Sequence, residues 1–194
     1  MTWTLDQQHV DLGFAVKHMM VATVRGRFTD LEADIELDEQ TPERSRVRAV
    51  VQTASLTTGN DDRDTHLKSA DFFDVEQFPE LTFQSTKVRR TGDERFELAG
   101  DLTIRDVTQP VVLEGEFTGP VTSPWGGRRA GFSLSGEIDR EAFGLTWNVA
   151  METGGVLVGK TVKLTIEAEL AEQAAAETES AHSEPSDVSE AAGG

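Results

Sequence analysis

Val162-Lys163-Leu164-Thr165-Ile166-Glu167-Ala168-Glu169-Leu170 is the stretch that decides the architecture. Apolar residues fall at every second position, with Lys, Thr and Glu between them. That is the period of a half-buried β-strand and not of a helix. Outward from it the same alternation recurs. Phe96, Leu98, Gly100, Leu102 and Ile104 oppose Glu97, Ala99, Asp101 and Thr103, and Leu31, Ala33, Ile35 and Leu37 oppose Glu32, Asp34 and Glu36. It returns, less cleanly, at Val47–Thr53, Val111–Phe117 and Ala130–Ile138, and in shorter form at Phe14 and Val16 and at Leu81, Phe83 and Ser85. These runs predict about eight strands, parted by turn residues such as Thr91-Gly92-Asp93, Gly119-Pro120 and Gly154-Gly155. One apolar and one polar face per strand, with no long helix between them, means antiparallel pairing. Closure into an eight-stranded antiparallel β-barrel hides the sheet edges best, and two packed sheets are the competing architecture.

The chain has 194 residues, which suits one domain plus a tail. It carries 35 acids against 18 Lys and Arg, a formal net charge of −17. That balance argues against nucleic acid as a partner, which needs a basic face. It argues equally against a polybasic patch docked on an anionic membrane. Hydrophobic residues make up 37%, enough for a core, and no run of 18 apolar residues offers a membrane span. The absence of cysteine excludes disulfides, thiolate metal sites and a Cys nucleophile, and no cofactor is called for. The opening Met1-Thr2-Trp3-Thr4-Leu5-Asp6 has neither the basic start nor the apolar stretch of a secretory leader, so a cytoplasmic location is the expectation. Residues 171–194 hold six acids, no Lys or Arg and no Phe or Trp. Such a composition cannot bury enough surface to offset its ordering entropy, so an acidic, disordered C-terminal tail is expected, with a short helix over Ala171–Thr178 as the alternative. A homodimer through an exposed Trp125 loop or a paired sheet edge is compatible with the sequence, which does not demand one.

One segment breaks the alternation. Asp61-Asp62-Arg63-Asp64-Thr65-His66-Leu67-Lys68-Ser69 reads as a short helix or turn capped by Asn60 or an Asp. The dense aromatics Phe72, Phe73 and Phe78 follow, and together they read as a lid over one barrel end. Arg63, His66 and Lys68, with Lys17 and Arg105, are candidates to meet a polar headgroup. His18 and His66 could share a metal if the excursion folds over that end, with Asp64 or Asp71 adding a carboxylate. A small metal-dependent hydrolase or isomerase using His18, His66 and Asp64 is therefore the alternative to a binding protein. Ser55 and Ser69 lie near His66, but no Gly-x-Ser-x-Gly elbow is present and turn capping explains both.

An eight-stranded barrel has an interior that either fills with side chains or holds one small ligand. Gly100, Gly115, Gly136, Ala33, Ala49 and Ala130 fall on the inward face and leave room, unless large neighbours fill it. A ligand held there must be apolar.

Several motifs taken together resemble the YceI-like family. They are Trp3-x-x-Asp6-x-x-His9, Phe14-x-Val16-Lys17-His18, Val24-x-Gly26-x-Phe28, Ser55-Leu56-Thr57-Thr58-Gly59-Asn60 and Arg63-Asp64-x-His66-Leu67-Lys68-Ser69. Asp71-Phe72-Phe73-Asp74, Phe78-Pro79-x-Leu81-x-Phe83, Gly100-Asp101-Leu102-Thr103-Ile104-Arg105 and Arg140-x-x-Phe143-Gly144-Leu145-x-Trp147 continue them over residues 1–170. The resemblance implies a lipocalin-like barrel that holds a long-chain isoprenoid or fatty acyl lipid in an elongated tunnel, without catalysis. By that analogy and the inward phase, the tunnel is lined by Phe14, Val16, Phe28, Ile35, Leu37, Val51, Phe83, Leu98, Leu102, Phe132, Leu134, Ile138 and Trp147. Leu67, Phe72 and Phe73 close one end.

Overall fold

The alternating runs pair into one antiparallel sheet. A computed structural model describes residues 2–124, 126–152 and 154–173. Its strands are β1 (Thr2–His18), β2 (Ala22–Phe28), β3 (Leu31–Glu36), β4 (Arg46–Gln52), β5 (Leu56–Thr57), β6 (Glu80–Arg90), β7 (Arg95–Ile104), β8 (Val107–Thr122), β9 (Arg128–Asp139) and β10 (Val158–Gln173). A single helix, α1 (Asp61–Lys68), stands between β5 and β6. The hydrogen-bonded order is β3-β4-β6-β7-β8-β9-β10-β1-β2-β5.

Ten strands replace the eight expected. The two additions are β2 and β5. In β2 the face of Val24, Gly26 and Phe28 is interrupted by a glycine and is short beside Thr23, Arg25 and Arg27, so it gives little apolar signal. β5 is two residues long and cannot show a period. The last strand also runs past the expected boundary at 170, because Ala171 and Glu172 pair with Thr4 and Trp3. Those residues therefore extend β10 and open neither a tail nor a helix. Residues 174–194, and with them the rest of the expected acidic tail, lie outside the described residues, as does Trp125.

Register shifts at Leu5/Val10, Ser85/Lys87 and Thr118/Val121 bend the long strands, as bulges do, and curl the sheet. The curl brings the N-terminal half of β1 beside β3, where Gln7 Nε2 donates to the Leu31 carbonyl at 3.0 Å. Among the described residues no ladder joins β3 to β1, so the barrel meets itself along one unpaired edge. Near the other edge, Ser55 Oγ accepts from the Thr29 and Asp30 N–H groups at 3.1 Å each and donates to the Gln52 carbonyl at 2.7 Å. That fixes the turn that leads from β4 to β5, a capping role and not a nucleophile's.

Buried apolar residues form three separate clusters instead of one core. One, around Phe28, Val51, Leu56, Leu102 and Phe143, lies on the α1 side. A second is Val88, Leu98, Leu113 and Leu134, and a third is Trp3, Ala130 and Leu170 at the far end. No helix among the described residues is long and apolar enough to cross a membrane.

Candidate functional site

The curled sheet surrounds a cavity of about 590 Å³. Its wall is the apolar face of the strands. Phe14, Val16, Ile35, Phe83, Phe96 and Phe132 point into it and yet stay only half-buried. A packed interior at crystal-like density would bury such side chains, so the lumen is unfilled.

Two features keep it open. The ring of Phe96 lies on Gly115, where a Cβ would come within 2.3 Å of Cζ, and the ring of Phe83 lies on Gly100 at the same distance. Each glycine lets an aromatic side chain flatten against the wall. The inward glycines therefore do not leave holes, as their small size suggested, and their neighbours do not plug the lumen either.

The excursion contributes to the wall at one end. Asn60 caps α1, its side-chain oxygen accepting from the Arg63 N–H at 2.9 Å. Asp64 accepts from the Thr58 N–H at 2.8 Å and from the Thr58 hydroxyl, and Arg63 Nε donates to that hydroxyl at 2.8 Å. Burial pushes the Asp64 carboxyl upward, but the Thr58 hydrogen bonds outweigh it and hold the group below its ordinary range. So anchored, α1 delivers Leu67, and the turn after it delivers Phe72 and Phe73, to the cavity wall. Phe73 packs edge-on to Phe28 with ring centroids 5.6 Å apart.

Fifteen of the sixteen residues expected to line the tunnel stand on this wall: Phe14, Val16, Phe28, Ile35, Leu37, Val51, Leu67, Phe72, Phe73, Phe83, Leu98, Leu102, Phe132, Leu134 and Ile138. Trp147 does not. It packs outside against His66 and Phe72, with centroids 4.5 and 5.4 Å away. Val162, Leu164, Ile166, Ala168 and Leu170 also line the cavity and were missed as such, although their alternation was the strongest in the chain.

The headgroup candidates are placed elsewhere. Arg63, His66 and Lys68 are not on the wall. Arg63 is spent on Thr58, and His66 Nε2 lies 2.8 Å from Asp71 Oδ2 while its ring packs against Phe72. The charged wall residues sit at the opposite end: Asp38, Glu39, Arg90, Asp93, Glu94 and Arg95, on the β3–β4 and β6–β7 connections. One more charge faces the lumen near α1. Arg140 is 3% exposed and donates only to carbonyls, those of Gly159 at 2.9 Å, Trp147 at 3.1 Å, Val158 at 3.3 Å and Leu145. Burial pushes its guanidinium pKa down. The sequence marked Arg140 only within a motif, because side-chain type alone does not reveal burial.

The proposed catalytic metal set is not assembled. Among the described residues His18, His66 and Asp64 do not bring ligand atoms within 4.8 Å of one another; Asp64 is spent on Thr58 and His66 faces Asp71. Among the described residues, the one group of His and carboxylate ligand atoms within 4.8 Å of each other is Asp6, His9 and Glu169. There the Arg129 Nη1 already donates to Asp6 at 2.8 Å and to Glu169 at 2.9 Å. Ser69 caps α1, donating to the His66 carbonyl at 2.7 Å.

Known proteins carry the same pattern. Residues 3–170 match the YceI-like domain. The chain is 41% identical over 136 residues to UPF0312 protein plu2095 of Photorhabdus laumondii, covering 70% of each. It is 39% identical over 139 residues to Protein YceI of Salmonella newport, covering 72% of each. The YCEI protein of Campylobacter jejuni superposes with a TM-score of 0.71 at 32% identity, over 81% of this chain and 90% of that one. A polyisoprenoid binding domain from Saccharophagus degradans shares the fold at 13% identity, with a TM-score of 0.64 over 89% of this chain and 99% of that one. The match spans the strands, the capped excursion and Arg140 alike, and the chain belongs to the YceI-like family.

Proposed function

We propose that this protein binds one long apolar lipid, of polyisoprenoid or fatty acyl type, in the lumen of its curled sheet, and that it does so without chemical turnover. The carrying observation is an unfilled, sheet-enclosed cavity of about 590 Å³ walled by aliphatic and aromatic side chains. Ligand pockets commonly run ~300–1,000 Å³. Each methylene buried there contributes ~0.8 kcal/mol, so affinity grows with chain length. A sugar or nucleotide would instead lose its water against a wall whose charged groups are confined to the ends. The reading is in keeping with the polyisoprenoid binding named for the Saccharophagus domain, which shares the fold.

Native mass spectrometry of freshly purified protein, followed by lipid extraction, tests it. The expected result is one retained lipid per chain and, after delipidation, saturable uptake of a fluorescent prenyl or acyl probe. An empty protein that also fails to take up either probe would remove the reading.

A further inference from the structure

Large apolar residues left in water are not scattered over this molecule. Among the described residues, five of the seven exposed large hydrophobics lie on two adjoining turns: Met19, Met20 and Val21 on one, Val149 and Val156 on the other. The turns are joined by backbone. Met19 N–H donates to the Leu157 carbonyl at 2.7 Å, and Leu157 N–H to the Val149 carbonyl at 2.9 Å. Contiguous exposed apolar patches mark interaction sites, whereas single exposed residues do not.

The first turn is built against its own conformational preference. Val21 N–H donates to the His18 carbonyl at 3.2 Å, and both central residues, Met19 and Met20, have positive φ, 50° and 62°. Hairpins of this geometry ordinarily take Asn-Gly. Here two unbranched methionines occupy it, 46% and 68% exposed, with Val21 at 82%. Local charge is also unlike the rest of the chain. Residues 16–24 contain no acid and residues 147–160 only Glu152, while Lys17 and Lys160 flank the tips. Lys160 is paired with Asp139 at 3.0 Å, which leaves the two tips themselves with Glu152 as their one acid, a low density in a chain with 35 and one that headgroup phosphates repel little. The strands that carry these tips also form the cavity wall, through Val16 and Val158 a few residues away.

We propose that the Met19–Val21 turn and the adjoining 149–157 turn dock the protein on a phospholipid bilayer, inserting their apolar tips among the headgroups. This rests on the lipid-binding reading, because a protein that loads a lipid must meet the phase that holds it. Two convex tips with flexible methionines suit a fluid surface, where a folded protein partner would call for a groove or a flat face.

Flotation of the full chain with phosphatidylcholine vesicles tests the proposal, comparing the wild type with the double variant Met19→Asn, Met20→Gly. The variant supplies the residues that the turn prefers, so its Tm is expected to hold or rise. The wild type is expected to float, and the variant to lose about tenfold or more in vesicle affinity while still taking up a fluorescent prenyl probe from solution. Equal flotation of the two proteins would overturn the proposal. So would a wild type that does not float, or a variant that turns a dimer into a monomer in sedimentation, which would make the tips an interface between copies. Probe uptake without flotation leaves the cavity reading intact and removes the docking. Flotation lost in the variant, with no probe uptake by either protein, does the reverse.

Discussion

Gly115 carries no side chain where the Phe96 ring needs the space, and that makes it a handle on the width of the lumen. A Cβ there meets only ring atoms, the nearest at 2.3 Å, so Gly115→Ala should tip Phe96 into the cavity. The expected outcome is weaker binding of a long acyl probe at a stability cost of ~1 kcal/mol, read from probe titration and denaturant midpoint. Gly100→Ala meets the Gln84 carbonyl oxygen at 2.6 Å as well as Phe83, and backbone cannot swing away, so it should cost more than its counterpart. A second residue sets the acid limit. The Gln8 N–H first, then His9 and Arg129, hold the Asp6 carboxyl at about 2 against its ordinary 3.8. A depressed carboxylate stabilises the fold at pH values above its unfolded pKa, and that contribution is lost as pH falls through the folded value. Stability should therefore decline between about pH 4 and pH 2, and the decline should be shallower in Asp6→Asn, as followed by circular dichroism. Asp64 and Asp139 are lowered too and act with the same sign.

Among the elements, β3 differs from its neighbours by having a ladder on one side only. Its amides that do not face β4 should exchange with solvent orders of magnitude faster than interior amides of β8 and β9, measurable by hydrogen exchange. This asymmetry could not be read from Leu31-Glu32-Ala33-Asp34-Ile35-Glu36, whose alternation looks like that of a doubly paired strand. Alternation reports which face is buried and is silent on who the neighbour is. That is why inward residues such as Phe83, Leu98 and Leu134 were legible and the edge was not. β2 escaped because a glycine interrupts its short inward face, where bulk would signal a strand. α1 was legible through Asn60 and its first-turn acids. Its charged residues were misassigned because a cap fixes where a helix starts but not which way its polar side chains point. Arg63 turned to Thr58, and apart from Arg140 the charges on the cavity wall came from the strand ends and connections at the other end.

At the scale of the whole molecule, three buried clusters around a void must stand in for one continuous core. A guest that fills the void should therefore act as a structural part. A lipid at about a hundred times its Kd adds about 2.7 kcal/mol by mass action. For a chain of this size that raises Tm by about 5–10 °C. Delipidated protein should melt lower by such an amount and recover on addition of a prenyl or acyl lipid, as calorimetry would record. The seam where β1 lies beside β3 bears on which guests qualify. A hoop stitched all the way round has its girth set by strand count and stagger. Here, among the described residues, the two margins meet across side chains and the Gln7–Leu31 bond, with no ladder. No ladder among the described residues fixes the girth at that seam, so it is where the wall should yield first to a bulkier guest.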